Sequence, residues 1–171
     1  MGFFKTLELL FSGDVEKAKK ISEEGESALL LAEEAAMVET LTGGLKWELR
    51  DSLLPEEKVS VIVKGCNGEA IVITDKRVMI LKAGYASGSW AGRKCTAFGL
   101  DEITTVGFHC GFDKGLVQVV GEAVPDDNDS LDTMTRASNV INFPADKAIK
   151  FRRIVEMLHK RTEENKKRQD T

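Results

Sequence analysis

KVSVIVKGCNGEAIVITDKRVMILKAG, residues 58–84, decides the fold. Its three apolar runs, 59–63, 70–73 and 78–81, are short and rich in Val and Ile. They are separated by turn chemistry, which is the pattern of strands rather than of helices. Asn67-Gly68, between the first two runs, is the strongest short hairpin signal, because a tight I′ turn needs two residues that tolerate positive φ. The second break, Thr74-Asp75-Lys76-Arg77, reads as a charged corner turning into solvent. The stretch predicts three consecutive antiparallel strands.

The strand pattern continues through RKCTAFG (93–99), DEITTVGFHCG (101–111), GLVQVVGEAV (115–124) and NVINF (139–143). GYASGSWAG (84–92) reads as a glycine-rich loop and residues 125–138 as a long acidic one. After residue 145, Phe151, Ile154, Val155 and Leu158 fall at i, i+3, i+4 and i+7, the apolar stripe of a helix. KRTEENKKRQDT (160–171) reads as a polar, frayed tail. Seven short strands followed by one amphipathic helix predict a mainly β fold. The expected form is a seven-stranded antiparallel barrel or sandwich whose C-terminal helix caps the open end.

Ahead of residue 58 the periodicity is helical. Phe3, Phe4, Leu7, Leu10 and Phe11 share one face of a short amphipathic helix, and a stretch rich in Ala, Glu, Lys and Leu runs from about residue 15 to 41. Gly43-Gly44 ends it as a C-terminal glycine does. LKWELRDSLL (45–54) is amphipathic again and stops at Pro55. The organisation expected is a helical arm over 1–52, a β domain over 53–162 and a polar tail over 163–171.

The 171 residues are 42% hydrophobic and 30% charged, with a formal net charge of −4, the balance of a globular chain without a nucleic-acid footprint. The charge is uneven: −7 over residues 1–57, −1 over 58–144 and +4 over 145–171. No apolar run reaches the roughly 18–20 residues that span a bilayer, and no signal-peptide pattern opens the chain. A cytoplasmic location is expected, peripheral to the inner face of the membrane if the arm meets lipid. Cys66, Cys95 and Cys110 are odd in number and form no CxxC pair, which argues for free thiols.

Three pieces of the chain, taken in order, carry a resemblance. Leu54-Pro55-Glu56-Glu57 leads into the first strand, Thr74-Asp75-Lys76-Arg77 forms the corner before the third, and Phe98 with Asp101-Glu102-Ile103-Thr104 steps into the fifth. Together they resemble the bacterial pleckstrin-homology (PH)-like domain family over roughly residues 53–160. The resemblance implies the PH superfold. It does not imply one function, because PH-like folds bind phosphoinositides, peptides or one another. Phosphoinositide-binding members cluster basic residues on the first two strands; here only Lys64 stands near that loop, whereas multivalent phosphate recognition needs several converging cations. Lys64, Lys76, Arg77, Arg93 and Lys94 are the candidate anion contacts.

Catalysis needs a base or nucleophile with an orienting partner. His109 and Cys110 are adjacent on a strand and point to opposite faces, so they form no dyad; Cys110 is expected in the core and His109 in solvent. Gly84, Gly88 and Gly92 fit no phosphate-binding loop. The aspartates of 126–132 lack the glycine and glutamate of an EF-hand. Neither catalytic residues, a metal, a cofactor nor a small-molecule substrate is expected.

The expected function is a non-enzymatic binding or scaffolding module that acts by protein–protein association or self-assembly. The alternative is a peripheral membrane adaptor. The candidate contact residues are Phe3, Phe4, Leu7, Leu10 and Phe11 in the arm, and Tyr85 and Trp90 in the loop.

Overall fold

Strand β1 (Val59–Lys64) returns as β2 (Glu69–Thr74) through a turn in which Asn67 and Gly68 have φ of 44° and 85°. This is the positive-φ pair that an I′ turn requires. β3 (Arg77–Ala83) and β4 (Arg93–Gly99) complete a four-stranded antiparallel sheet in the order β1-β2-β3-β4. β5 (Ile103–Cys110), β6 (Lys114–Gly121) and β7 (Val140–Pro144) form a second sheet in the order β5-β6-β7. A computed structural model describes residues 37–122 and 137–169, and Val38–Thr171 fold as one unit. The predicted N-terminal helix with Phe3, Phe4, Leu7, Leu10 and Phe11 lies outside the described residues, as does most of the acidic loop.

The mainly β architecture with a C-terminal helix agrees with the sequence reading. The barrel form of that reading does not, because β4 and β5 do not pair and β7 does not join β1. At the first gap the chain makes a tight turn, with Glu102 N–H donating to Gly99 O at 3.0 Å and Gly99 N–H to Glu102 Oε2 at 2.9 Å. At the second gap a side chain takes the place of a strand: Glu69 Oε2 accepts the Asn142 N–H at 2.6 Å. Among the described residues Cys66 N–H alone crosses directly, to Asn142 O at 2.7 Å. Gly65 stands at this crossing, where an added Cβ would run into Asn142 O and the Ile141 side chain.

All of β2 and the middle of β3 are buried on both faces. One face carries Ile71, Ile73, Val78 and Ile80. The other carries Ala70, Val72, Met79 and Leu81, which cluster with Leu41 and Leu45 and are flanked by Leu49 and Leu53. Helix α1 (Gly43–Ser52) supplies this cover. Thus the amphipathic stretch that the sequence groups with the arm packs on the four-stranded sheet. Its stripe is Leu45, Leu49 and Leu53, whereas Trp47 and Leu54 are exposed. Leu45→Ala is expected to lower unfolding free energy by about 2–3 kcal/mol, read by urea denaturation.

Helix α2 (Ala148–Gln169) buries Phe151, Ile154, Val155 and Leu158, the predicted stripe. Phe151 stacks on Phe143 of β7 with ring centroids 4.4 Å apart, and Phe108 of β5 continues the stack at 5.6 Å. The helix runs on through residues expected to fray. Arg161 holds it to the sheet by donating to Ser60 Oγ and Thr74 O, each at 3.2 Å. Thr162 Oγ1 donates to His159 O at 2.9 Å.

The segment before α1 is tied at both ends of the unit. Val38 bridges Ile62, and Glu39 N–H donates to Ile62 O at 2.8 Å. The Glu39 carboxylate accepts from Lys64 N–H at 3.0 Å, Lys147 Nζ at 3.2 Å and Lys150 Nζ at 2.7 Å. Burial alone would raise its pKa, but these donors outweigh it and hold the carboxyl near 2.

Candidate functional site

The β1–β2 turn, the β3–β4 connection and the β5–β6 turn lie at one end of the sandwich. The β3–β4 connection opens with a short 3-10 helix, Gly84–Ser87, and is closed by Gly84 N–H donating to Gly92 O at 2.9 Å. This closure leaves Tyr85 and Trp90 standing in solvent, 84% and 79% exposed. Phe112, at the tip of the β5–β6 turn, is fully exposed. Isolated surface apolar residues are common, but three aromatic rings on adjoining loops are not an ordinary solvated rim.

Between these loops lies a groove of about 790 Å³, lined among others by Cys66, Asn67, Tyr85, Ser87, Lys94 and Lys114. Glu69, Lys82 and Asn142 line it as well. Glu69 and Lys82 are cross-strand partners in the β2–β3 register and form an ion pair at 3.0 Å, almost fully out of water. Both Glu69 oxygens are engaged: Oε1 with Lys82 Nζ and Asn142 Nδ2, Oε2 with the Asn142 N–H and Nδ2. A buried ion pair needs this degree of satisfaction to offset its desolvation.

Cys66 sits at the rim with its thiol pushed up, first by burial and then by the Glu69 charge. Burial likewise raises Cys95. Thiols held protonated are poor nucleophiles near neutral pH. Cys110 is exposed rather than buried as expected, because the end of β5 runs clear of the core and both faces there are open. His109 is exposed, and His159 Nε2 lies 3.3 Å from Val106 O. Among the described residues no group of His, Cys, Asp and Glu is placed to hold a metal ion, and no helix is long and apolar enough to cross a membrane.

The five candidate anion contacts are not brought together. Lys76 and Arg77 belong to the β2–β3 corner, at the far end from the groove. Arg77 is committed there: Nε and Nη2 donate to the two Glu57 oxygens at 2.8 and 2.9 Å, and Nη2 also to Ser52 O at 2.6 Å. Thr74 Oγ1 donates to Glu57 Oε1 at 2.7 Å, and Glu57 Oε2 accepts the Leu54 N–H at 3.0 Å. The Leu-Pro-x-Glu-Glu lead-in and the Thr-Asp-Lys-Arg corner therefore interlock. Arg77 above all holds the Glu57 carboxyl near 2, against its burial. Arg93 pairs with Asp51 of α1 at 3.0 Å. Lys64 lines a second cavity of about 570 Å³, beneath Trp90 and beside the start of α1. Only Lys94 of the five opens on the main groove.

The Glu69–Lys82 pair and Lys114 escaped the sequence reading. The signal was countable. Pairing back from the corner sets Ile73 against Val78 and Ile71 against Ile80, hence Glu69 against Lys82 on the same face. A lysine in line with core isoleucines calls for an acid opposite.

No known protein family, curated protein or solved structure matches this chain.

Proposed function

We propose that the chain is a non-enzymatic binding module of PH-like fold that works by associating with a protein surface, a second copy of itself included. The strand order 1-2-3-4 and 5-6-7 with a C-terminal helix supports the PH-like reading. The observation that carries the association reading is the trio Tyr85, Trp90 and Phe112, presented in solvent by loops at one end. Aromatic rings offer large contact area at low conformational cost, and they dominate interface hot spots.

Light scattering on the full chain at about 100 µM tests this, with self-assembly the first partner examined. A multimer is expected, reduced to monomer by the triple change Tyr85→Ser, Trp90→Ser and Phe112→Ser. A monomeric wild type would sink self-assembly, and a multimer indifferent to the triple change would move the contact away from the loops. Lys94 and Lys114 beside the rings favour a second reading, contact with an anionic membrane surface, where aromatic rings and lysines share the headgroup layer. Co-sedimentation with anionic vesicles, abolished by the same triple change, is its expected signature.

A further inference from the structure

We propose that the groove at the loop end is a carboxylate-binding site that receives an acidic peptide segment, with Lys82 as its buried anchor. The proposal rests on the protein-association reading above and names the chemistry of the partner.

The first support is the state of Lys82. Its side chain is 3% exposed and lines the groove. An ammonium has three N–H donors. Among the described residues Lys82 Nζ meets one acceptor, Glu69 Oε1. Glu69 has nothing further to offer, since Asn142 occupies its other positions. A buried ammonium with spare donors is costly unless water or a ligand in the groove supplies acceptors.

The second support is independent of the first. Lys82 and Lys94 are directly opposite each other in the β3–β4 register. Like charges in that position destabilise a sheet. Lys114 adds a third cation from the facing sheet. Lys94 and Lys114 have no ionic partner among the described residues. Among the described residues the charge that the groove leaves uncommitted is therefore positive, and an anion between the lysines converts a repulsion into a bridge.

The choice of a carboxylate follows from what surrounds the anchor. Among the described residues the cations of the groove are all lysines, which grip an anion as point charges rather than as a two-pronged fork. The exposed Tyr85 ring at the wall gives the neighbouring backbone and methylenes of a peptide a surface to lie on.

The test is a titration of the ¹⁵N-labelled full chain with hexaglutamate at constant ionic strength, followed by amide chemical shifts. Saturable shifts at Asn67, Tyr85, Lys94 and Lys114 are expected, with Kd on the order of 0.1–1 mM. The double variant Lys94→Gln and Lys114→Gln, whose side chains make no hydrogen bond or ion pair among the described residues, is expected to weaken binding at least about tenfold. Lys82→Met alone would strand Glu69, so the paired variant Glu69→Gln with Lys82→Met is used for the anchor; it should bind no peptide while keeping its dispersed spectrum. Absence of saturation up to about 10 mM, or unchanged affinity in the double variant, would overturn the proposal. So would inorganic phosphate binding tighter than the peptide, or anionic phosphatidylserine vesicles taking the protein down with no competition from hexaglutamate. If the peptide fails while assembly still depends on the aromatic trio, this site falls and the association reading stands.

Discussion

Truncating Phe151 to alanine is expected to remove about 3–5 kcal/mol of stability, the loss of a large, fully buried ring. Phe151 is fully buried and stacks on Phe143, itself fully buried, which in turn meets Phe108. The three rings come from α2, β7 and β5, so one deletion opens a void where helix and second sheet meet. An offset stack adds roughly 0.5–1.5 kcal/mol beyond area burial. Differential scanning calorimetry should show a fall in Tm of roughly 10–15 °C. Phe151→Leu, which keeps most of the volume, should lose less than half as much. A loss near 1 kcal/mol for Phe151→Ala would mean that α2 contributes little to the core.

Arg77→Ala is expected to cost about 2–4 kcal/mol, although Arg77 is a charged residue at a corner. Its removal leaves Glu57, whose side chain has no exposed surface, as an uncompensated carboxylate. It also frees Ser52 O at the end of α1. The effect carries a pH signature. The Glu57 carboxyl lies near 2 in the folded chain against 4.5 in the reference state, and Glu39 behaves alike. A depressed folded pKa means that the contribution is complete above about pH 4.5 and is lost as pH falls toward 2. Urea unfolding of wild type and Glu57→Gln should therefore differ most at neutral pH, with the two curves converging between about pH 4.5 and 2. A gap that stays constant through that window would remove Glu57 as the titrating group.

Much of the β unit is legible in the sequence because its signals are local. Asn67-Gly68 forces the first hairpin, and the apolar run 78–81 forms the middle of β3. The 3.6-residue stripe of α2 states which side is buried. What escaped the sequence depends on partners far apart in the chain. That α1 covers β2 and β3 was hidden because a buried outer face looks the same as a buried inner one in a continuous apolar run. The interlock of Glu57 with Arg77 joins two segments, each of which reads alone as a solvated charge cluster. Cys110 misled through alternation: the pattern that puts Val106 inside assumes a core behind the whole strand, and the core stops short of the end of β5. At the candidate site the glycine-rich loop marks Tyr85 and Trp90 as contact candidates without deciding whether Trp90 stands in solvent or folds over the barrel mouth, and the lysines that meet around the groove come from β3, β4 and β6, which no spacing rule joins.

The hold of Glu39 on Lys147 and Lys150 bears on how the chain is made. Its partners lie 108 and 111 positions away, almost the full length of the unit. A ribosome delivers the four-stranded sheet and the helix over it long before it delivers α2. Until residue 147 emerges, the carboxylate near the start of the unit has neither of these ammonium partners to meet. The first hairpins are local and quick; closure depends on contacts of long sequence separation, which slow folding. Final assembly therefore waits for the last helix, and a chain interrupted shortly before residue 147 would carry a complete first sheet with its second layer unsealed, the kind of intermediate that chaperones recognise.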